Sequence, residues 1–467
     1  MAASAPMTTR LRRALGTALV TVLAMALTLA STLALVPEIG PAVLGAMLCL
    51  TLSRSQLEKD ARGRIEAAIA LPVIGLVAAG VGVLLLQVRV VGAIVYVLGM
   101  TASILLRRFG PAGRRIGALL ALPFIALLVA PVPVPQHPSG ALAAVPWLVP
   151  PIVALIAFAW VTLLQLAARA VRMLPARERS WERPARPPRA PGVPWWRLTP
   201  TDRLAIQMGL SLALAFAIGF LFFGDRWAWI VLTVVVVAIG NSGRADVLYK
   251  GLQRLAGAAV GTLLALVPLA FIVRPGVGSV VLLLVVVTVA VVAREFGYIW
   301  WALSFTLALA LLQGLAGGAD RASGAFLLGE RLEEILLGAV LALAVAWLVL
   351  PLRSEDTVRA RLVVVLAALQ ERMATQDDAT AHQLRGALAD LARVSPPYDA
   401  WLRIARRARR PRAARWIATT RDCVELGRDG ADPEARKLLG AARRTLRDPD
   451  ALQPALDAVR ARLLGAP

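Results

Sequence analysis

Side chains able to do chemistry are few in this sequence, and those that stand out cluster in its second half. Arg254 opens the apolar run RLAGAAVGTLLALVPLAF, with Gly257 and Gly261 four residues apart behind it. A guanidinium there can stay at the headgroup level or turn toward a partner inside a helix bundle. A charge is cheap at the membrane surface and costs several kcal/mol at the bilayer centre. Upstream, GDRWAWIVLTVVVVAIG places Asp225, Arg226, Trp227 and Trp229 at one end of another apolar run, with Thr233 one turn below Trp229. AREFGYIWW carries Arg294, Glu295, Trp300 and Trp301, and GERLEEILLG carries Arg331, Glu333, Glu334 and Gly338. Gly257 and Gly261 share one helix face and remove side-chain bulk, so another helix can approach closely there.

Catalytic chemistry finds little support. His137 and His382 are isolated, and Cys49 lies in an apolar run while Cys423 lies in the charged C-terminal region. This pattern excludes a disulfide framework and a Cys/His metal site. No phosphate loop, nucleophile elbow or aromatic-basic nucleic-acid motif occurs. No catalytic residue, cofactor or metal is expected, and the chain is not read as an enzyme.

The elements that must hold these residues are membrane spans. With 58% hydrophobic and 17% charged residues over 467 positions and a mean hydropathy of +0.70, the chain is too apolar for a soluble protein of this length. Apolar runs of span length recur through residue 352 and then stop. Twelve spans are expected, near residues 14–36, 38–53, 65–86, 88–106, 115–131 and 145–168, then 203–223, 226–241, 252–272, 277–293, 297–316 and 329–351. The N-terminal run is longer than a signal-peptide core and is read as the first span.

The formal net charge of +22 sits largely in the loops SRSQLEKDARGR, RRFGPAGRR and GRADVLYKGLQR and in a Pro/Arg-rich linker. These belong on the cytoplasmic side, which puts both termini there, in an inner (plasma) membrane, and removes the need for a nucleic-acid partner. The expected organisation is a first six-span repeat (1–168), a linker (169–200), a second six-span repeat (201–352) and a C-terminal helical cytoplasmic domain (353–467). The tail segments TVRARLVVVLAALQERM and PEARKLLGAARRTLRD have apolar residues at helical spacing.

The halves resemble each other. TTRLRRALGTALV aligns with TPTDRLAIQMGLSLAL, Arg64 with Arg254, RRFG with REFG, and IAFAWVTL with LAVAWLVL. Six-span repeats share one orientation, related by an axis along the membrane normal. The expected fold is therefore all-α: about twelve transmembrane helices as two parallel six-helix repeats, plus the helical tail.

The order Trp, Thr four later, a β-branched run, a cytoplasmic loop, then Arg-x-x-Gly-x-x-x-Gly is similar to the core signature of the fusaric acid resistance protein-like family, the aromatic acid exporters. The last run, with Arg331, Gly338 and Pro351, resembles that family's closing helix. The likeness is clearest over residues 200–352. Three features depart from it: Ala258 stands where Thr is usual, the turn NSGRA stands where a proline is common, and a short linker replaces the large cytoplasmic domain often found between the halves.

The resemblance implies export of small organic acids, aromatic carboxylates above all, driven by the proton gradient. It then casts Trp229, Thr233, Arg254, Arg294, Trp300 and Trp301 along the substrate path, since an organic anion needs positive charge and aromatic faces suit its ring. Asp225, Glu295, Glu333 and Glu334 become the proton-coupling candidates, with Gly257, Gly261 and Gly338 as packing positions. Expected partners are membrane lipid, the organic anion, a second copy in a homo-oligomer and a periplasmic efflux partner. Competing readings are a major facilitator-type transporter, an anion channel, and a membrane-anchored assembly or regulatory protein acting through its tail.

Overall fold

The computed structural model describes residues 7–57, 61–129, 145–174, 198–241, 243–271, 277–317, 321–404, 411–428, 430 and 432–465. Helix dominates these residues, and no strand occurs among them. The first half holds α1 (Met7–Leu35), α2 (Ile39–Leu57), α3 (Ala61–Gln87), α4 (Arg89–Leu105), α5 (Gly110–Val129) and α6 (Val149–Ala170). The second holds α7 (Pro200–Ile218), α8 (Trp227–Ala238), α9 (Arg244–Phe271), α10 (Val277–Ala293), α11 (Tyr298–Gly317) and α12 (Arg321–Leu348).

Among the described residues, five helical segments are long and apolar enough to cross a membrane: Ala14–Leu35, Gly63–Gln87, Arg89–Phe109, Pro146–Ala170 and Pro200–Phe223. Shorter apolar stretches occur in α2, α8, α10 and α11. Most of the linker, including Trp195 and Trp196, and the loop bearing His137 lie outside the described residues.

Two helix starts differ from the sequence reading, and both bear on the site. α9 begins at Arg244 rather than near residue 252, because its first turns, though polar, are good helix: Asp246 and Lys250 pair across one turn at 3.2 Å. α12 begins at Arg321 rather than near residue 329. Apolarity marks where a helix enters lipid, and helix propensity carries the helix further. Conversely, α7 begins where local chemistry says it should. Thr199 Oγ1 accepts from the Asp202 N–H, Asp202 accepts from the Thr199 N–H, and Pro200 occupies the first turn.

Many helix contacts of the first half have counterparts in the second, although the close α3–α4 contact has none of similar extent between α9 and α10 among the described residues. α1 touches α2 and α6, α2 touches α6, α3 touches α5 and α6, and α4 touches α5. Likewise α7 touches α8 and α12, α8 touches α12, α9 touches α11 and α12, and α10 touches α11. Between the halves, α1 lies on α10 and α4 lies on α7. Close approach in the second half depends on glycine. A Cβ on Gly257 would meet Ala302 Cβ and Ile299 O at 2.8 Å, and one on Gly261 would meet Leu303 O at 2.5 Å. A Cβ on Gly338 would meet Ile230 O at 2.7 Å and Thr233 Cβ at 2.8 Å. The backbones of α9 and α11, and of α12 and α8, therefore lie in direct contact.

After Leu352 come α13 (Ser354–Thr375), α14 (Asp378–Ala392), α15 (Pro396–Ile404), α16 (Arg412–Gly427), α17 (Pro433–Arg444) and α18 (Pro449–Leu463). Asp377, Asp432 and Asp448 cap α14, α17 and α18 with their side chains. These helices share a core of their own around Trp416, with Leu362, Leu366, Leu439 and Leu456. Replacing Trp416 by Ala should cost about 3–5 kcal/mol, read as a lowered unfolding midpoint of the full chain. Cys423 is buried in this core, which pushes its thiol up to about 12, far from the reactive thiolate range. The tail is bolted to the start of α9: Ser354 Oγ accepts from the Ala245 N–H at 3.0 Å, and Ala245 packs on the tail core.

Candidate functional site

Four helices converge on one set of charges and rings. Trp229 and Thr233 lie one turn apart on α8, and Gly338 holds α12 against them. α12 thereby brings Arg331 beneath Trp229, with its guanidinium 4.2 Å from the ring centroid. This is cation–π stacking away from water, where it is worth about 2 kcal/mol. Glu334, one turn further along α12, is 1% exposed, and Arg331 is 4% exposed. Arg226, just before α8, pairs with Glu330 and reaches Glu334 Oε1 at 3.7 Å. Arginines and carboxylates thus alternate between the start of α8 and the middle of α12.

α9 adds a charge of a different kind. Arg254 lies ten residues past Arg244, the first residue of the helix, or about 15 Å along its axis. It is 2% exposed. Its Nε has no hydrogen-bond partner, and no ion pair reaches it, among the described residues. The sequence allowed a headgroup-level anchor at this position; packing of α11 and α12 on α9 encloses the side chain instead.

Around it, α11 supplies Phe305, whose centroid is 5.8 Å from the guanidinium, and Trp301, stacked on Phe305 at 5.5 Å. Arg294, at the end of α10, lies 4.6 Å from the Trp301 ring. The hydroxyl of Tyr298 is buried without a hydrogen-bond partner among the described residues, and it is an electrostatic neighbour of both Arg254 and Arg294. Arg254 is likewise a neighbour of Arg331, which links the α8–α12 group to the α9–α11 group.

An unpaired cation and an unpaired hydroxyl buried together are costly. Both are donors, and an oxyanion answers both at once. The stacked Trp301 and Phe305 rings offer an apolar wall next to them, so the arrangement can receive a carboxylate attached to a ring.

The residues singled out in sequence divide as follows. Trp229, Thr233, Arg254, Arg294, Trp301 and Glu334 come together here. Trp300 does not: it is 52% exposed, turned away from its neighbour Trp301. Glu295 and Glu333 are exposed, which separates them from the buried Glu334. The side chain of Asp225 lies outside the described residues. Tyr298, Phe305, Arg331 and Arg226 join the site without having been assigned a role from sequence. Arg331 carried a signal in its spacing, since a charge three residues before Glu334 within one helix shares its face. Among the described residues no His, Cys, Asp and Glu group could hold a metal.

Residues 212–345, which contain α8 to α11 and most of α12, match the fusaric acid resistance protein-like family model. This segment is similar to the fusaric acid resistance protein-like family. No curated protein and no solved structure matches the chain. The match starts within α7 and stops within α12, so it covers Trp229, Arg254, Tyr298, Arg331 and Glu334 alike. The chain thus combines helices long and apolar enough to cross a membrane with a segment similar to the fusaric acid resistance protein-like family.

Proposed function

We propose that the protein exports small organic anions, aromatic carboxylates foremost, across the inner membrane in a cycle linked to the proton gradient. The observation that carries this reading is Arg254, a guanidinium enclosed among aromatic side chains and left without a partner among the described residues. Its charge and the Tyr298 hydroxyl would take the carboxylate, and the Trp301–Phe305 stack would take the ring. The membrane potential, worth about 2.3 kcal/mol per elementary charge per 100 mV, itself favours the exit of an anion from the cytoplasm.

The helix contacts that recur in both halves support a duplicated six-helix unit. In this reading both termini are cytoplasmic, and Arg254 lies between the α8–α9 turn and the membrane centre. The family match favours an exporter over a facilitator-type transporter.

The test is retention of benzoate and related aromatic and aliphatic carboxylates in cells lacking or overproducing the protein, with and without a protonophore. Overproduction should lower retention of at least one aromatic acid, and the protonophore should abolish the effect. Unchanged retention of every acid, with the protein correctly inserted, would remove the reading.

A further inference from the structure

Arg254 is buried, so an anion must reach it by a route through the bundle. Two routes are closed by backbone. α9 and α11 touch at Gly257 and Gly261, and α8 and α12 touch at Gly338. Along α11 the contacts differ in kind. Arg254 lies 5.8 Å from the Phe305 ring, Phe305 stacks on Trp301 at 5.5 Å, and the Trp301 ring carries the Arg294 guanidinium at 4.6 Å. Two cations thus bracket a pair of stacked rings.

The series has a direction. Phe305 stands seven residues past Tyr298, the first residue of α11, or about 10 Å into the helix. Arg294 stands before that helix, in the turn that leaves α10, where Glu295 and Phe296 are exposed. Arg294, Trp301 and Phe305 are half-buried, and Arg254 is enclosed. Burial therefore deepens from the turn toward Arg254.

On the anion-site reading above, we infer that Arg294 is a capture station at the cytoplasmic mouth of this route, which draws in an aromatic carboxylate and passes it along the Trp301–Phe305 stack to Arg254. Positive charge at a mouth raises the local concentration of an anion and its rate of arrival. The ring faces between the two arginines are negative, so they guide an aromatic ring and give the carboxylate no resting place.

Two rings separate Arg294 from the final position, so it lowers the barrier to entry without holding the bound ligand. A group of that kind acts on rates in both directions. Its loss slows arrival and departure alike and leaves affinity nearly unchanged, whereas loss of Arg254 removes the affinity itself.

The test mixes the purified full chain in detergent rapidly with anthranilate, a fluorescent aromatic carboxylate, and follows energy transfer from tryptophan. Salt is held at about 0.1 M, where charges act over about 10 Å. Arg294→Gln should slow association about fivefold, the factor that one charge at about 4 Å supplies in water, and slow dissociation equally, so that affinity moves by less than about twofold. Arg294→Lys should keep most of the wild-type rate, since capture needs the charge rather than the planar fork. Arg436→Gln, which removes an exposed arginine from α17 in the tail, should change neither rate. In about 0.5 M salt, where screening shortens the reach of a charge, the wild type should slow toward the Arg294→Gln variant.

Equal rates in the wild type and a folded Arg294→Gln protein would overturn the inference and leave the anion site standing. Slower association with unchanged or faster dissociation, and so a real loss of affinity, would overturn it too, by making Arg294 part of the final site. If Arg294→Gln does not fold, the Lys variant and the salt series decide, and a wild-type association rate indifferent to salt sinks the inference. If the wild type binds no anthranilate, the anion-site reading falls and takes this inference with it.

Discussion

Replacing Arg254 by Met should make the protein more stable and leave it unable to bind its anion. The guanidinium is enclosed, and neither an ion pair nor an Nε hydrogen bond answers it among the described residues. Methionine has similar length, fills the space beside Phe305 and brings no charge to desolvate. Replacing buried charge by well-packed apolar side chains is neutral or stabilising by about 1–4 kcal/mol, so the unfolding midpoint in detergent should hold or rise.

Benzoate affinity should fall at least about 30-fold, the loss expected when a charge pair in a buried site is broken. Arg254→Lys should fall between the two, since an ammonium keeps the charge but not the planar fork that matches a carboxylate. A destabilised Met variant would show that Arg254 is paired in the folded protein. A stable variant that still binds would show that the charge serves something other than the anion. Opposite movement of stability and function is the signature of a residue selected for a ligand.

The second large effect lies at the α9–α11 seam. A side chain at Gly261 must displace the Leu303 carbonyl, since even a Cβ would sit 2.5 Å from it, and a backbone atom inside a helix has nowhere cheap to go. Gly261→Ala should cost about 1–3 kcal/mol, and Gly261→Leu should prevent folding. In the Ala variant benzoate affinity should also fall. Parting the two helices moves Tyr298, Trp301 and Phe305 away from Arg254, and misplacements of about 1 Å are felt in positioned sites. Gly80→Ala on α3 is the control, because nothing lies within 4 Å of the Cβ it would add. It should change the stability by no more than about 0.5 kcal/mol.

Some of the site was legible in the sequence for local reasons. Two glycines four residues apart share a helix face whatever surrounds them, so Gly257 and Gly261 could be marked as a seam before their partner helix was known. Trp229 and Thr233 could be paired in the same way. An arginine at the edge of an apolar run is conspicuous because such charges are expensive. The apolar runs, basic loops and charged tail together read as a membrane protein, and the order of Trp, Thr, Arg and glycine pointed to the family whose model matches residues 212–345.

Burial was not legible, because it depends on what packs around a side chain. Arg254 stood at the door of a span when the helix was taken to begin near residue 252. α9 begins at Arg244, and α11 and α12 close over the guanidinium. Glu333 and Glu334 are neighbours in sequence and look alike there. The helical turn of about 100° per residue points one into solvent or lipid and the other toward Arg226. Trp300 and Trp301 part in the same way, one outward and one onto Phe305.

By itself, then, the sequence determined the apolar helices, their likeness to the fusaric acid resistance protein-like family and the few side chains with chemistry, because these follow from composition and from spacing along one helix. The tertiary structure alone decided which of those side chains lose water together. It set an unpaired Arg254 beside Tyr298 and Arg331 beside Glu334, since desolvation and charge pairing are properties of neighbours that lie far apart in the chain.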